Sequence, residues 1–176
     1  MSKKISLRKT YSVYASKTHL ATMTFPFIKR ELKKGAIIKT IFEKDISENM
    51  NQVIKNVVIN SKIKEKLENM DWNQTDIKKI KDTLDDMENS LKEKNNIDII
   101  VLGTNIFIEK VNELIDLWIK INLNELDNDN ISINVINCYS FEENQTEDNI
   151  KRKHEFVLKT KGIEEIYIDD NLKMAN

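Results

Sequence analysis

The segment Ile97–Gly103 is nearly continuously apolar over a length typical of a β-strand. Such a strand is characteristic of a parallel sheet covered on both faces, because neither face of the strand meets water. The chain has 3 Gly and 1 Pro among 176 residues. So few residues suited to tight turns argue against a sandwich or barrel with many corners. We therefore expect an α/β protein.

Strand-like and helix-like segments alternate along the rest of the chain. Runs rich in β-branched residues predict strands over 12–15, 36–42, 97–103, 131–139 and 163–168. Apolar residues spaced three and four apart predict helices over 19–34, 47–57, 61–68, 75–91, 106–126 and 147–161. This order implies right-handed crossovers and a three-layer, mostly parallel sheet with helices on both faces, a Rossmann-like architecture.

Glycines mark the boundaries of these segments. Gly35 and Gly162 each follow a lysine-containing stretch and precede a strand, which is the position of a left-handed residue ending a helix. We find no internal repeat and no linker. We expect one domain over residues 1–176, with a core at about 10–168, a basic amino-terminal arm and a short carboxyl-terminal tail. The arm carries Lys3, Lys4, Arg8 and Lys9.

Charge and cysteine content restrict the partners and the compartment. The chain has 28 basic and 29 acidic residues and a formal net charge of -1, which argues against nucleic-acid or membrane-surface binding. Its single cysteine, Cys138, suits a reducing cytoplasm. The first residues lack the apolar stretch of a signal peptide, and no apolar run reaches the ~20 residues that span a bilayer. We expect a cytoplasmic protein.

Ligands of open parallel sheets usually bind beyond the carboxyl ends of the strands. This rule selects residues 15–19, 43–45, 103–105 and 139–141. The predicted ligand-binding residues are Ser16, Lys17, His19, Gly103, Asn105, Cys138 and Tyr139.

Each of these candidates also has an ordinary structural interpretation. Ser16-Lys17-Thr18 invites comparison with the phosphate-binding motif GxxxxGK[ST], but Tyr11 and Ser16 stand where that motif has glycines. Lys17 is then a solvated lysine near a helix start. Cys138 is a reactive thiol or a small apolar core residue. His154 is a packing residue on an amphipathic helix.

No cofactor or metal is expected, because the two histidines and the cysteine lack the spacing of a metal site. Paired carboxylates such as Asp85-Asp86 stand in charged, solvated surroundings, which do not favour acid or base catalysis at neutral pH. Trp72 stands in a predicted loop and is the aromatic side chain expected to contact a partner.

Several stretches are similar to parts of one known sensory domain. Tyr11–Ser16, followed by Phe25–Gly35 and a strand, resembles its opening. Ile99–Gly103 and Ile133–Tyr139 resemble its third and fourth core strands, and Lys153–Glu155 resembles the start of its closing helix. The similarity covers about residues 10–165. The family is the MEDS domain, named from methanogens, methylotrophs and the dichloromethane regulator.

This resemblance implies a degenerate relative of RecA/KaiC-type ATPase domains that lacks the phosphate loop. It also implies sensing of a small organic ligand or signal, which is passed to a regulatory protein partner. The chain departs from the family pattern at two places. Tyr11 and Val13 occupy the first strand, where the family has a histidine, and Glu155 rather than proline follows His154. These departures leave the ligand open.

We therefore expect a non-enzymatic sensory or regulatory domain that recognises a small ligand and acts through protein partners. The alternatives are a Rossmann-like or P-loop-derived enzyme, such as a nucleotide hydrolase or transferase, and a pure interaction module, for example a homodimer. A closed apolar pocket near His19, Gly103 and Cys138 would support sensing, and a polar cleft with convergent acids would support catalysis. An edge filled by side chains supports neither, and sensing then fails at that site.

Overall fold

The structure is a computed structural model that describes residues 4–57, 59–93, 95–122, 130–142, 147–159 and 161–166. Its strands are β1 (Lys4–Tyr14), β2 (Ile37–Phe42), β3 (Asn96–Gly103), β4 (Asn130–Ser140), β5 (Phe156–Lys159) and β6 (Gly162–Glu165). Its helices are α1 (Lys17–Lys34), α2 (Ser47–Asn56), α3 (Ser61–Glu68), α4 (Ile77–Glu93), α5 (Asn105–Asn122) and α6 (Glu147–Lys151).

The strands form one sheet in the order β2-β3-β4-β1-β5-β6. All neighbouring pairs are parallel except β5 and β6, which form an antiparallel hairpin at one edge. Strand β4 lies between β1 and β3 and pairs with β1 from Lys4↔Asn130 to Tyr14↔Ser140. This arrangement confirms the predicted three-layer, mostly parallel α/β fold.

Two apolar cores lie on the two faces of the sheet. Helices α1, α2 and α3 cover one face, where Phe42, Ile100 and Ile136 are buried. Helices α4 and α5 cover the other face, where Val101 and Val135 are buried. Because successive strand residues point to opposite faces, each central strand contributes to both cores. This is the burial that the continuous apolar run of β3 predicted.

The last predicted helix, over residues 147–161, is wrong. Only Glu147–Lys151 is helical, and Phe156–Lys159 forms β5. Strand β1 has a second edge whose backbone groups need partners, and β5 supplies them through the pairs Thr10↔Phe156 and Tyr11↔Val157. Gly162 follows as part of the β5–β6 turn, with φ of 141°, and not as a helix end.

Strand β1 is longer than predicted and begins at Lys4. Lys4, Arg8 and Lys9 therefore belong to the sheet and not to a separate arm. Gly35 does end α1 in the left-handed conformation, with φ of 82°, as its position predicted. Residues 167–176, including the predicted tail and the end of the last predicted strand, lie outside the described residues.

Trp72 is buried, in contrast to its predicted role as a partner contact. Its indole stacks on Phe42, and its Nε1 donates to the carbonyl of Leu67 at 3.0 Å. The Trp72 side chain therefore belongs to the core, whereas its neighbours Asp71 and Asn73 are exposed. The apolar stripe on α4 is also buried from Ile80 onward, whereas Ile77, at the helix start, is 85 % exposed.

Ile80 and Ile77 offer a matched pair of substitutions on one helix. We expect Ile80→Ala to lower the free energy of unfolding by about 2–4 kcal/mol, because it leaves a cavity at a side chain that is 5 % exposed. Ile77→Ala should change it by less than about 0.5 kcal/mol. Urea denaturation measures both. Equal losses in the two variants would contradict this packing of α4.

Candidate functional site

The predicted site at the carboxyl ends of the strands is occupied by contacts within the chain. Ser16 caps α1, with its Oγ accepting from the backbone N–H of His19 at 3.1 Å. His19 Nδ1 accepts from the backbone N–H of Ala15 at 3.0 Å. Lys17 is exposed. The turn from β1 into α1 is thus a capped helix start, with no loop in which backbone amides converge on a phosphate.

Gly103 lies against Glu43 where β3 leads into α5. A Cβ added at Gly103 would lie 2.5 Å from Phe107 Cδ1 and 2.7 Å from Glu43 Oε2, so this glycine is required by close packing. Glu43 Oε2 accepts from the backbone N–H of Thr104 at 2.5 Å and Glu43 Oε1 from its hydroxyl at 3.2 Å. The carboxylate therefore satisfies the start of α5, which begins at Asn105.

Cys138 and Tyr139 are neighbours on β4 but point to opposite faces of the sheet. Cys138 is fully buried in the core under α1, and burial raises the pKa of its thiol to about 12. It is therefore an unreactive packing residue in this structure. Tyr139 lies on the α5 face, where burial, with smaller contributions from Glu109 and Cys138, raises the pKa of its phenol.

Five cavities stand out among the described residues, and of the predicted ligand-binding residues Tyr139 alone lines one of them. This cavity, which we call the His154 cavity, has a volume of about 280 Å³. His154 Nδ1 donates to the carbonyl of Ile150 at 2.8 Å, and its Nε2 accepts from the amide of Asn137 at 3.1 Å. Asn112 donates to Asn137 at 3.0 Å. Both ring nitrogens are thus engaged within the protein.

A second cavity, of about 400 Å³, lies on the α1 face near the amino ends of β3 and β4. We call it the amino-end cavity. Four basic side chains and two acidic ones line it, together with amides and one aromatic ring. The lining includes Arg8, Phe27, Arg30, Glu31, Lys34, Asp98, Asn134, Lys161 and Gly162.

Asp98 lies in the wall of this cavity and is 3 % exposed. Its Oδ1 accepts from the amide of Asn134 at 3.0 Å, and Asn134 in turn accepts from the hydroxyl of Thr10 at 3.2 Å. Its Oδ2 has no hydrogen-bond partner. Every other buried side-chain nitrogen or oxygen of the described residues has one. A buried charged group of this kind is costly unless something pairs with it.

Burial raises the pKa of Asp98 to about 6, and the nearby Glu31 carboxylate acts in the same direction. The hydrogen bond from Asn134 and the charges of Lys34 and Arg30 oppose that rise. Glu31 Oε1 accepts from Arg30 Nε and from Lys34 Nζ, each at 3.0 Å. The Glu31 carboxylate is therefore paired with cations, whereas the Asp98 carboxylate is not.

No residue of the amino-end cavity was predicted from the sequence to belong to a site. One indication was nevertheless present. Asp98 is a charged residue within the strand predicted to be covered on both faces, so its side chain had to be buried. Buried carboxylates with a raised pKa concentrate at functional sites. The arginines gave no such indication, because their distance from Asp98 depends on the strand order.

Comparison of the chain with family models, with curated proteins and with solved structures found no match. Within the described residues, no group of three or more His, Cys, Asp or Glu side chains is placed to hold a metal ion. No helix in this part of the chain combines the length and apolar character needed to cross a bilayer.

Asp98→Asn tests the state of the unpartnered carboxylate. In the folded protein Asp98 keeps its proton up to about pH 6, whereas in the unfolded chain it loses the proton near its ordinary pKa of 3.8. Its contribution to stability is therefore present at low pH and lost as the pH rises through 6. We expect the stability advantage of Asp98→Asn over wild type to grow by about 2 kcal/mol between pH 4 and pH 8.

Urea denaturation over this pH range measures that advantage, and Asp85→Asn, at an exposed position of α4, is the matched control. A stability advantage that does not change with pH would show that folding does not raise the pKa of Asp98.

His154 should have the opposite pH dependence. Burial lowers the pKa of its imidazole, assisted by the charges of Lys9 and Lys153 and opposed by the hydrogen bond to Ile150. As the pH falls, His154 of the unfolded chain therefore binds a proton near pH 6.5, before His154 of the folded protein does. Stability from the neutral ring is present above that pH and is lost as the pH falls.

His154→Phe removes this titration but leaves Asn137 and the carbonyl of Ile150 without their partner. We expect it to be less stable than wild type by about 1–3 kcal/mol at pH 8, with a gap that narrows toward pH 5. Urea denaturation at the two pH values measures the gap, and a constant gap would contradict the assignment.

Proposed function

We propose that this chain is a ligand-recognition domain that binds a small polar ligand in the amino-end cavity and acts through a protein partner. The observation that carries the proposal is Asp98, a buried carboxylate with one unpartnered oxygen in a cavity lined by Arg8 and Arg30. A ligand that donates to Asp98 Oδ2 would satisfy a group that the protein itself leaves unsatisfied. The site lies near the opposite end of the sheet from the one that the sequence predicted.

The role of a sensory domain, and the relationship to the MEDS family, form part of this proposal. The mostly parallel sheet is compatible with them, as is the glycine-free turn from β1 into α1 at Ser16–Thr18. The hydrogen bonds that Ser16 and His19 form within the chain argue against sensing at the carboxyl edge. A cytoplasmic location remains a prediction from the single cysteine.

Partner contact is supported by helix α5 and no longer by Trp72. Leu114, Leu117 and Ile121 are exposed on α5 and recur at spacings of three and four, so they form an apolar stripe on its outer side. Contiguous exposed apolar side chains mark interaction surfaces more often than isolated ones do. A regulatory protein or a second copy of the chain would cover such a stripe.

The enzyme alternative rests on a different property of the same carboxylate. A group with a pKa of about 6 suits general acid or base catalysis near neutral pH. Recognition is favoured because the basic residues around Glu31 are engaged in ion pairs and the two histidines are hydrogen-bonded within the protein.

Binding of small polar compounds tests the proposal. Inorganic phosphate, citrate, amino acids and nucleotides would each be titrated into ¹⁵N-labelled protein while amide shifts are recorded. We expect at least one compound to shift the amides of Asp98 and Asn134. Its affinity should fall by about tenfold or more in Arg30→Gln, because a charge-assisted hydrogen bond is lost.

Arg152→Gln is the matched control, since Arg152 is exposed and does not line the cavity. Shifts confined to residues 15–19 and 103–105 would move the site back to the carboxyl edge. No shift with any compound at millimolar concentration would rule out the proposed site. Conversion of a bound compound to product would favour the enzyme alternative.

A further inference from the structure

The amino-end cavity has cationic and anionic parts that lie on different strands. Arg8 projects from β1, and Lys161 lies at the β5–β6 turn. Arg30 reaches the same side from α1, because a Cβ added at Gly162 of that turn would lie 3.2 Å from its Nη1. Asp98 lies on β3. The cavity is therefore positive toward the hairpin and negative toward β3.

Strand register gives the distance between these two parts. Arg8 lies opposite Asn134 in the pairing of β1 with β4, and Asp98 lies opposite Asn134 in the pairing of β4 with β3. Neighbouring strands are about 4.8 Å apart, so the backbones at Arg8 and Asp98 are about 10 Å apart in one row. Asn134 stands between them and donates to Asp98.

The arginines are held in a way that suits recognition of an oxyanion. The Arg8 guanidinium lies 4.5 Å from the centre of the Phe156 ring, and that of Arg30 lies 5.6 Å from the Phe27 ring. Stacking occupies the face of a guanidinium and leaves its N–H edge for planar or phosphoryl acceptors. The chain has 28 basic residues, of which only Arg8, Arg30 and Arg152 are arginine, and two of these three line this cavity.

Lys34 and Glu31 do not alter this distribution, because they neutralise each other. Glu31 accepts from Lys34 Nζ and Arg30 Nε with the same oxygen. Glu31 engages Arg30 at Nε only, so the Arg8 guanidinium and the Nη groups of Arg30 remain on one side of the cavity, and the unpartnered Oδ2 of Asp98 remains on the other.

We infer that the ligand of the amino-end cavity is a small zwitterion, whose oxyanion is held by Arg8 and Arg30 and whose protonated amine is held by Asp98. This inference rests on the proposed function and specifies its ligand class. An oxyanion alone would leave Asp98 unpaired, and an amine alone would leave Arg8 and the Nη groups of Arg30 without an oxyanion partner. A compound with both groups, separated by a few bonds, satisfies both ends of the row.

Graded ligands test the inference. The zwitterions glycine, 4-aminobutyrate and 6-aminohexanoate vary the separation of the charges, and O-phosphoethanolamine replaces the carboxylate by a phosphate. Butyrate, hexanoate and ethyl phosphate lack the amine, and butylamine lacks the oxyanion. Dissociation constants would be measured by NMR titration on the full chain.

We expect at least one zwitterion to bind about tenfold or more tightly than its partner without the amine. Asp98→Asn should abolish that difference without weakening the binding of the amine-free oxyanion, since the arginines are unchanged and a negative charge that repels the oxyanion is removed. Asp85→Asn should keep the difference. The Asp98→Asn variant is suited to this test because we expect it to fold at least as stably as wild type at neutral pH.

The outcomes separate this inference from the proposed function. If every amine-free oxyanion binds as tightly as its amine-bearing counterpart, the zwitterion assignment is wrong and the ligand site remains. If the zwitterion still binds more tightly than its amine-free counterpart in Asp98→Asn, the zwitterion assignment is also wrong. If none of the probes shifts Asp98 or Asn134, the zwitterion is wrong, and the proposed site is then judged by the citrate and nucleotide titrations. Comparison of the amino acids with O-phosphoethanolamine decides whether the oxyanion of the ligand is a carboxylate or a phosphate.

Discussion

The register of β4 between β1 and β3 determines how the rest of this protein is arranged. Strand β4 pairs with β1 over its whole length and with β3 from Asn96↔Ser132 to Gly103↔Tyr139. A shift of one residue would turn every β4 side chain to the opposite face. Ile133 and Val135 would then leave the core under α5, and Ile136 and Cys138 the core under α1. Two dense apolar cores therefore hold the register in place.

This register also places two buried polar networks on opposite faces of one strand. On the α1 face, Asn134 links Thr10 to Asp98. On the α5 face, Asn137 links Asn112 to His154. A buried network favours a single native arrangement when its members are satisfied, and it is costly when one is not. The His154 network is closed, whereas the Asp98 network ends in an unpartnered oxygen at a cavity. That difference is why we assign packing to one and recognition to the other.

Much of the fold could be predicted from local patterns. Helix α3 and strand β2 lie within a residue of their predicted bounds, because short amphipathic or β-branched segments with clear boundaries leave few alternatives. The segment after α6 was mispredicted because Ile150, His154, Val157 and Leu158 have a spacing that also suits a helix. Backbone pairing along the open edge of β1 decided in favour of a strand. Trp72 was mispredicted because one side chain of an otherwise exposed loop can point into the core, where it contacts Phe42 and Leu67.

The sequence by itself determined most of the strands and helices, though not β5, and it determined that β3 is covered on both faces. It therefore also determined that Asp98 is buried, since no residue of such a strand reaches water. Only the tertiary structure decided that β4 inserts between β1 and β3, which puts Arg8 and Asp98 in one row of the sheet. Strand order has no local signature, because backbone hydrogen bonds are the same for any pair of strands. The charges that meet in the amino-end cavity come from separate segments, and only their packing brings them together.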